Sequence, residues 1–152
     1  MASHLYLADE GVINFNSGNV TLTHSTDTLT ISEALTVSGK LTLTQTTATL
    51  SGDRAIDFSD SSDFYYTLSN NVSITMTAPT NETAGQQGTI TFKTGSSGTN
   101  TVNWATGSKW FFEGGTAPTI SQETGVYDVF SYYVVASSII LITGASTFKQ
   151  HT

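Results

Sequence analysis

Leu41 Thr42 Leu43 Thr44 alternates an aliphatic residue with a threonine, as do Val20 Thr21 Leu22 Thr23 and Thr28 Leu29 Thr30 Ile31. Successive side chains on a strand point to opposite faces, and β-branched Thr suits a pleated surface. Each segment therefore reads as a short strand with one narrow aliphatic face and one hydroxyl face. Between Gly11 and Gly52 the only aromatic residue is Phe15. A stretch with so little apolar volume does not close a core by itself, so its aliphatic face is expected to be shared with other chains. The residues assigned to that shared face are Val20, Leu22, Leu29, Ile31, Leu35, Val37, Leu41 and Leu43.

Moving outward along the chain, the aromatic residues gather after Ser62, from Phe64, Tyr65 and Tyr66 to Tyr132 and Tyr133. This contrast divides the 152 residues into an N-terminal Thr/Leu strand-repeat module for oligomerisation and attachment (1–52), an acidic connector (53–63) and a C-terminal module (64–152). Helix signals are almost missing: no window sets apolar residues at three-and-four spacing among good helix formers. The chain reads as all-β. Turns at Asn16–Asn19, Ser25–Asp27, Ser38–Lys40 and Ser51–Asp53 punctuate the first module. Its segments share a pattern but no fixed period, so they are expected to be intertwined or stacked in a fibre-like manner, about a symmetry axis rather than as a long solenoid.

Candidate strands in the C-terminal module are Tyr65–Leu68, Val72–Thr77, Gly88–Lys93, Thr101–Trp104, Tyr127–Val135 and Ile139–Ile142, with loops at Pro79, Gly95–Gly98 and Gly114–Pro118. Six strands in such a span predict two packed sheets, an antiparallel β-sandwich or jelly-roll-like head. In Tyr127–Val135 the alternation puts Tyr127, Val129, Ser131, Tyr133 and Val135 on one face and Asp128, Phe130, Tyr132 and Val134 on the other. Both faces carry aromatics. Such a strand is expected to be covered twice, with one side of its sheet meeting another subunit or the connector.

Charge narrows the partners. Only 11% of residues are charged and the net charge is -7, with Lys40, Arg54, Lys93, Lys109 and Lys149 as the fixed cations. That balance argues against a sequence-independent grip on phosphates, so nucleic acid is not an expected partner. No cysteine is present, which excludes disulfides and thiolate metal sites. The first residues carry no basic region followed by an apolar run, and the longest apolar stretch, Ile139–Ile142, is far too short to span a bilayer. Neither an export signal nor membrane insertion is expected.

The order Asn71 Val72, Gly85 Gln86 Gln87 Gly88 Thr89 Ile90 Thr91 Phe92, Thr101 Val102 Asn103 Trp104, Lys109 Trp110, Gly114 Gly115 Thr116 Ala117 Pro118 Thr119 Ile120 and Tyr127 Asp128 Val129 Phe130 resembles β-sandwich domains in the tail fibres and related virion proteins of tailed bacteriophages. The resemblance spans residues 64–142. The first module is similar to the strand-turn repeats of phage fibre shafts, where Val-Ser-Gly turns recur as at Val37 Ser38 Gly39. It implies a structural, commonly trimeric virion component. Full tail fibres are far longer, so a small capsid decoration protein or a short head or tail fibre is the expected kind.

Catalytic readings are weak by comparison. His4 and His151 lie near the termini, and His24 ends a strand without a companion for nucleophilic chemistry. Asp57, Asp60 and Asp63 gather hard oxygen donors, yet they lack the spacing and closing Glu of an EF-hand loop, and no aromatic-lined cleft frames a carboxylate pair. Solvated turn carboxylates are expected. Gly114 Gly115 has no helix start behind it and reads as a turn rather than a phosphate loop. Trp104 is placed in the core. Trp110, Phe111 and Phe112 are contiguous and cannot all face inward on a regular strand, so at least one is expected to be exposed or at an interface; with the Gly95–Gly98 loop they are the candidate surface for a host-surface glycan or protein.

The expectation is thus a non-enzymatic structural protein located in the virion, with no catalytic residue, metal or cofactor. Its partners would be itself, as a homotrimer, and other virion proteins such as the major capsid protein or tail components. The alternative is a receptor- or glycan-binding tip domain of a tail fibre.

Overall fold

A computed structural model of the chain describes residues 22–25, 28–31, 35–36, 39–96 and 99–150. Among them the regular secondary structure is almost all strand, in two compact units that divide between Leu41 and Thr42. In the first unit β1 (Leu22–Ser25) and β2 (Thr28–Ile31) form an antiparallel hairpin in which Leu22 lies opposite Ile31 and His24 opposite Leu29. The expected interface positions Val20 and Val37 lie outside the described residues.

The second unit is built from β3 (Gln45–Leu50), β4 (Asp63–Leu68), β5 (Ser73–Met76), β6 (Gln87–Lys93), β7 (Thr101–Trp104), β8 (Trp110–Phe112), β9 (Tyr127–Ala136) and β10 (Ile139–Phe148). Six of these form one sheet in the order β3-β4-β6-β9-β10-β8, while β5 pairs with β7 in a second. The chain shuttles between the two. After β3 it touches the second sheet through parallel bridges, Arg54 to Met76 and Asp57 to Thr80. It then returns as β4, crosses as β5, returns as β6 and crosses again as β7. Each return lays a strand beside its predecessor in the same direction, so β3, β4 and β6 are parallel, as are β5 and β7.

The sheet is therefore mixed, which corrects the expectation of an antiparallel sandwich. Only β9 and β10, joined by the short Ser137–Ser138 turn, run antiparallel to each other, and β9 lies antiparallel to β6. A tight turn forces reversal, as between β9 and β10, whereas a single crossover through the opposite sheet restores direction, as from β3 to β4 and from β4 to β6; β9 follows β8 through the long segment 113–126 and runs opposite to β6. Strand spacing along the sequence does not distinguish these two cases.

Two boundaries also differ from the expected 52/53 and 63/64 divisions. β3, the end of the expected Thr/Leu module, is hydrogen-bonded into the large sheet beside β4. The connector gives Ile56 and Phe58 to the core, both fully or nearly fully buried, and ties itself to β5 through Arg54 N–H to Thr75 O at 3.0 Å and Thr77 N–H to Arg54 O at 2.8 Å. The core between the sheets draws Phe64, Tyr66 and Leu68 from β4, Ile90 and Phe92 from β6, Phe130, Tyr132 and Val134 from β9, and Ile74, Met76 and Trp104 from the opposite sheet. Burial of each large side chain contributes about 1.5–3 kcal/mol, so this cluster supplies the volume the Thr/Leu segments lack.

Aromatic edges lock the layers together. Trp104 meets Trp110, Phe112 and Phe130 edge-to-face at centroid distances of 5.2, 5.3 and 5.9 Å, and Phe58 meets Tyr132 at 5.0 Å. Where strands end, polar side chains replace the ladder. Buried Asn100 accepts from Val72 N–H at 3.0 Å, and its own N–H donates to Gln122 Oε1 at 2.9 Å. Buried Asp128 accepts from Ser121 N–H and from the Thr147 hydroxyl. Gly88 fits because the Ser62 carbonyl lies where a Cβ would stand.

Candidate assembly surface

The outer face of the large sheet is set by alternation. In β9 the side chains of Asp128, Phe130, Tyr132 and Val134 point into the core, leaving Ser131, Tyr133 and Val135 outward. In β10 Ile140 and Ile142 are buried and Leu141 is not; in β8 Trp110 is buried and Phe111 is not. Register aligns these residues. Phe111 lies opposite Leu141, and Leu141 opposite Tyr133, so three large apolar side chains form one row across three strands. Directly opposed side chains on a sheet stand about 5 Å apart at Cβ, within contact range.

The row is open. Phe111 is 48% exposed, Tyr133 45%, Val135 45% and Leu141 39%. An apolar patch joined across strands differs from scattered surface leucines. Toward the other end of the same sheet Phe148 pairs with Tyr127, Tyr127 stacks near Tyr65 at 6.3 Å, and Lys93 Nζ lies 5.6 Å from the Tyr127 ring centroid. Between these ends the outward positions are mainly hydroxyls, including Thr47, Thr89, Thr91 and Ser131. The face is aromatic and hydroxylated, with little charge.

Several residues assigned from sequence lie elsewhere. Trp110 is not a surface residue: it is 7% exposed, packs on Trp104 and donates its indole N–H to Thr77 O at 3.1 Å. Phe112 is half-buried against the core. Of that trio only Phe111 stands in the open row. Leu35, Leu41 and Leu43 are exposed, while for Leu22, Leu29 and Ile31 the strand register alone is described.

The aspartates have separate tasks. Asp57 Oδ1 accepts from Ser59 N–H, the Ser59 hydroxyl and Asn81 Nδ2 at 2.7–2.9 Å, bonds that hold its carboxyl below the usual carboxylate range. Asp63 accepts from the Thr89 hydroxyl at 2.9 Å, across the β4–β6 pair. Among the described residues no group of three or more His, Cys, Asp and Glu could hold a metal ion. Lys109 is held bidentately by Glu82 at 2.8 Å and donates to Pro79 O, fastening the loop after β5 to the start of β8.

A cleft of about 690 Å³ opens beyond the ends of β4 and β6, lined by Thr67, Ser69, Asn70, Lys93, Ser96 and Thr124 among others. Asn70 Nδ2 reaches Ser96 Oγ at 3.3 Å, and Gly95 leaves the space that the Asn70 side chain fills. The exposed lining is mainly apolar, with a few hydroxyl and amide groups and one ammonium.

Tyr133, Val135 and Leu141 were not among the residues assigned to a site from sequence. The alternation placed Tyr133 and Val135 on an apolar face, which was the available signal; Leu141 sits in the unbroken run Ile139–Ile142, where periodicity says nothing about facing. No family model, curated protein or solved structure matches the chain.

Proposed function

We propose that the chain is a non-enzymatic structural protein of a tailed-phage virion, a homotrimeric decoration protein or short fibre on the particle surface. The observation that carries this reading is the open apolar row Phe111–Leu141–Tyr133 with Val135; separately, Leu35, Leu41 and Leu43 are exposed. Large apolar side chains left open on two separate segments call for protein partners, and a symmetric homo-oligomer is the commonest way to supply them. The low charge supports contacts made by aliphatic and hydroxyl groups rather than ion pairs. The phage setting rests on the sequence resemblance. Its partners are other copies and the major capsid protein or tail components.

Peptide mass spectrometry of purified virions, followed by imaging with a labelled antibody, tests this reading. The expected result is many copies at symmetric positions on the particle. Absence of the chain from purified virions overturns it.

The cleft beside Gly95 favours a second reading, a tip domain that binds a host-surface glycan. Thr67, Asn70, Ser96 and Lys93 set hydroxyl, amide and ammonium groups on its mainly apolar lining, groups of the kind that hydrogen-bond a sugar. A glycan array distinguishes the two, with binding lost in Asn70→Ala if this reading holds.

A further inference from the structure

The small sheet has one taken edge and one free edge. On β5 the outer side is taken: Thr75 O and Thr77 N–H bond to Arg54, and Thr75 N–H donates to Asp53 Oδ1 at 2.7 Å. β7 gives its first side to β5, through Thr101 N–H to Val72 O at 2.9 Å and, just past its end, Ala105 N–H to Met76 O at 3.0 Å. Main-chain groups of successive residues on a strand point to opposite edges, so those of Asn100, Val102 and Trp104 face away from β5.

Only Asn100 finds a partner there. The Gln122 side-chain amide accepts from Asn100 N–H at 2.9 Å and donates to Asn100 O, as a peptide group of a neighbouring strand would. The main-chain groups of Val102 and Trp104 have no such partner among the described residues. A groove of about 380 Å³ lies along this edge, lined by β7 on one side and by 117–120 with Gln122 on the other. The second wall is extended but not hydrogen-bonded to β7; its Ile120 is buried and Pro118 half-buried, while Ala117 and Thr119 are exposed. None of the lining residues is charged.

We infer that the free edge of β7 binds an extended segment of a partner protein through its main chain, a segment without charge that alternates apolar and polar residues. Gln122 shows the chemistry, since one amide supplies Asn100 with both an acceptor and a donor. The next such groups are called for beside Val102 and Trp104, two residues apart, which is the repeat of an extended polypeptide. Side chains that such a segment turns inward meet Pro118 and Ile120, where an unpaired charge would be costly. Those turned outward stand beside the exposed Thr101 and Asn103 and are polar. Main-chain bonds along an edge, with alternate side chains setting register, are the strand-addition mode of peptide recognition. The groove shares no residue with the open apolar row of the large sheet.

The test uses the full chain, and the probe is a displayed library of random heptapeptides from which the best binder is resynthesised. Enriched sequences are expected to be uncharged and free of proline, with β-branched and polar residues alternating. In residue-resolved amide hydrogen exchange of the free chain, Thr101, Asn103 and Ala105 are expected to exchange slowly and Val102 and Trp104 fast. The peptide is expected to slow the latter two by at least about tenfold. Ala117→Phe, which fills the groove from an exposed wall position, is expected to weaken peptide binding at least about tenfold with unchanged far-UV circular dichroism. Val102 and Trp104 amides that are slow in the free chain at every dilution overturn the inference, because the chain's own residues then fill the edge. Slowing that appears only as the chain is concentrated gives the edge to a second copy and overturns it as well. So does a library that yields no binder, or binders that leave these two amides fast.

Discussion

Gly88→Ala is expected to be among the most damaging single-methyl additions in the chain. A Cβ built on Gly88 would stand 1.7 Å from the Ser62 carbonyl oxygen and 2.7 Å from its carbon. Ordinary contact between such atoms needs about 3.5 Å, so the backbone at Ser62 has to retreat by about 1.5 Å or more. That carbonyl accepts from Thr89 N–H at 3.2 Å and from the Tyr132 hydroxyl at 2.9 Å. Gln86 Nε2 holds the same loop through Phe58 O at 2.8 Å and Ser61 O at 3.3 Å. Losing two of these bonds costs about 1 kcal/mol each, and forcing the methyl into packed backbone about 1–3 kcal/mol more. The total, about 3–5 kcal/mol, is a large share of a typical domain stability of about 5–15 kcal/mol. Urea unfolding followed by tryptophan fluorescence at one fixed protein concentration measures it. The midpoint is expected to fall with the slope unchanged. Gly52→Ala, where a Cβ meets open space, is the control and is expected to stay within about 0.5 kcal/mol of wild type. If Gly88→Ala unfolds at the same urea concentration as that control, the close approach to Ser62 does not exist.

Trp110→Phe is expected to cost about 1–3 kcal/mol in the same assay by stranding Thr77 O, and to leave any glycan-array signal untouched because the indole is buried. Burial pushes the Tyr132 phenol up to about 12, so stability is full below the ordinary tyrosine range near 10 and declines as pH rises from there toward 12. Tyr132→Phe should remove that alkaline step, read by thermal melts from pH 8 upward. Asp57 has the opposite sign: its lowered pKa contributes stability present above the ordinary value of 3.8 and lost as pH falls through the folded value, a dependence that Asp57→Asn should flatten in acid titrations. Phe111→Ser combined with Leu141→Thr is expected to reduce self-association with little change in the unfolding midpoint, and a large midpoint drop would show that these side chains are core rather than surface.

Strand content was legible because alternation is a local property. Tyr127–Val135 reads correctly residue by residue, and the inward set Asp128, Phe130, Tyr132 and Val134 is the buried set. Strand direction was not legible. It depends on whether a connection turns back at once, as after Ala136, or passes through the other sheet, as between Leu68 and Gln87, and both kinds of connection are written in the same Ser, Asn, Gly and Thr. β3 looked like one more Thr/Leu repeat because its membership in the head comes from pairing with β4, a contact distant in sequence. Trp110 was assigned outward with its neighbours because three contiguous aromatics carry no period, whereas its indole N–H finds Thr77 O only once the loop after β5 is in place.

In the proposed assembly this chain is a shared structure, incomplete as a single copy. Sedimentation equilibrium of the full chain from nanomolar to micromolar concentration tests it most directly. A species of three times the 16.1 kDa chain mass that dissociates only on dilution is expected. A stably folded 16.1 kDa monomer throughout that range would contradict it.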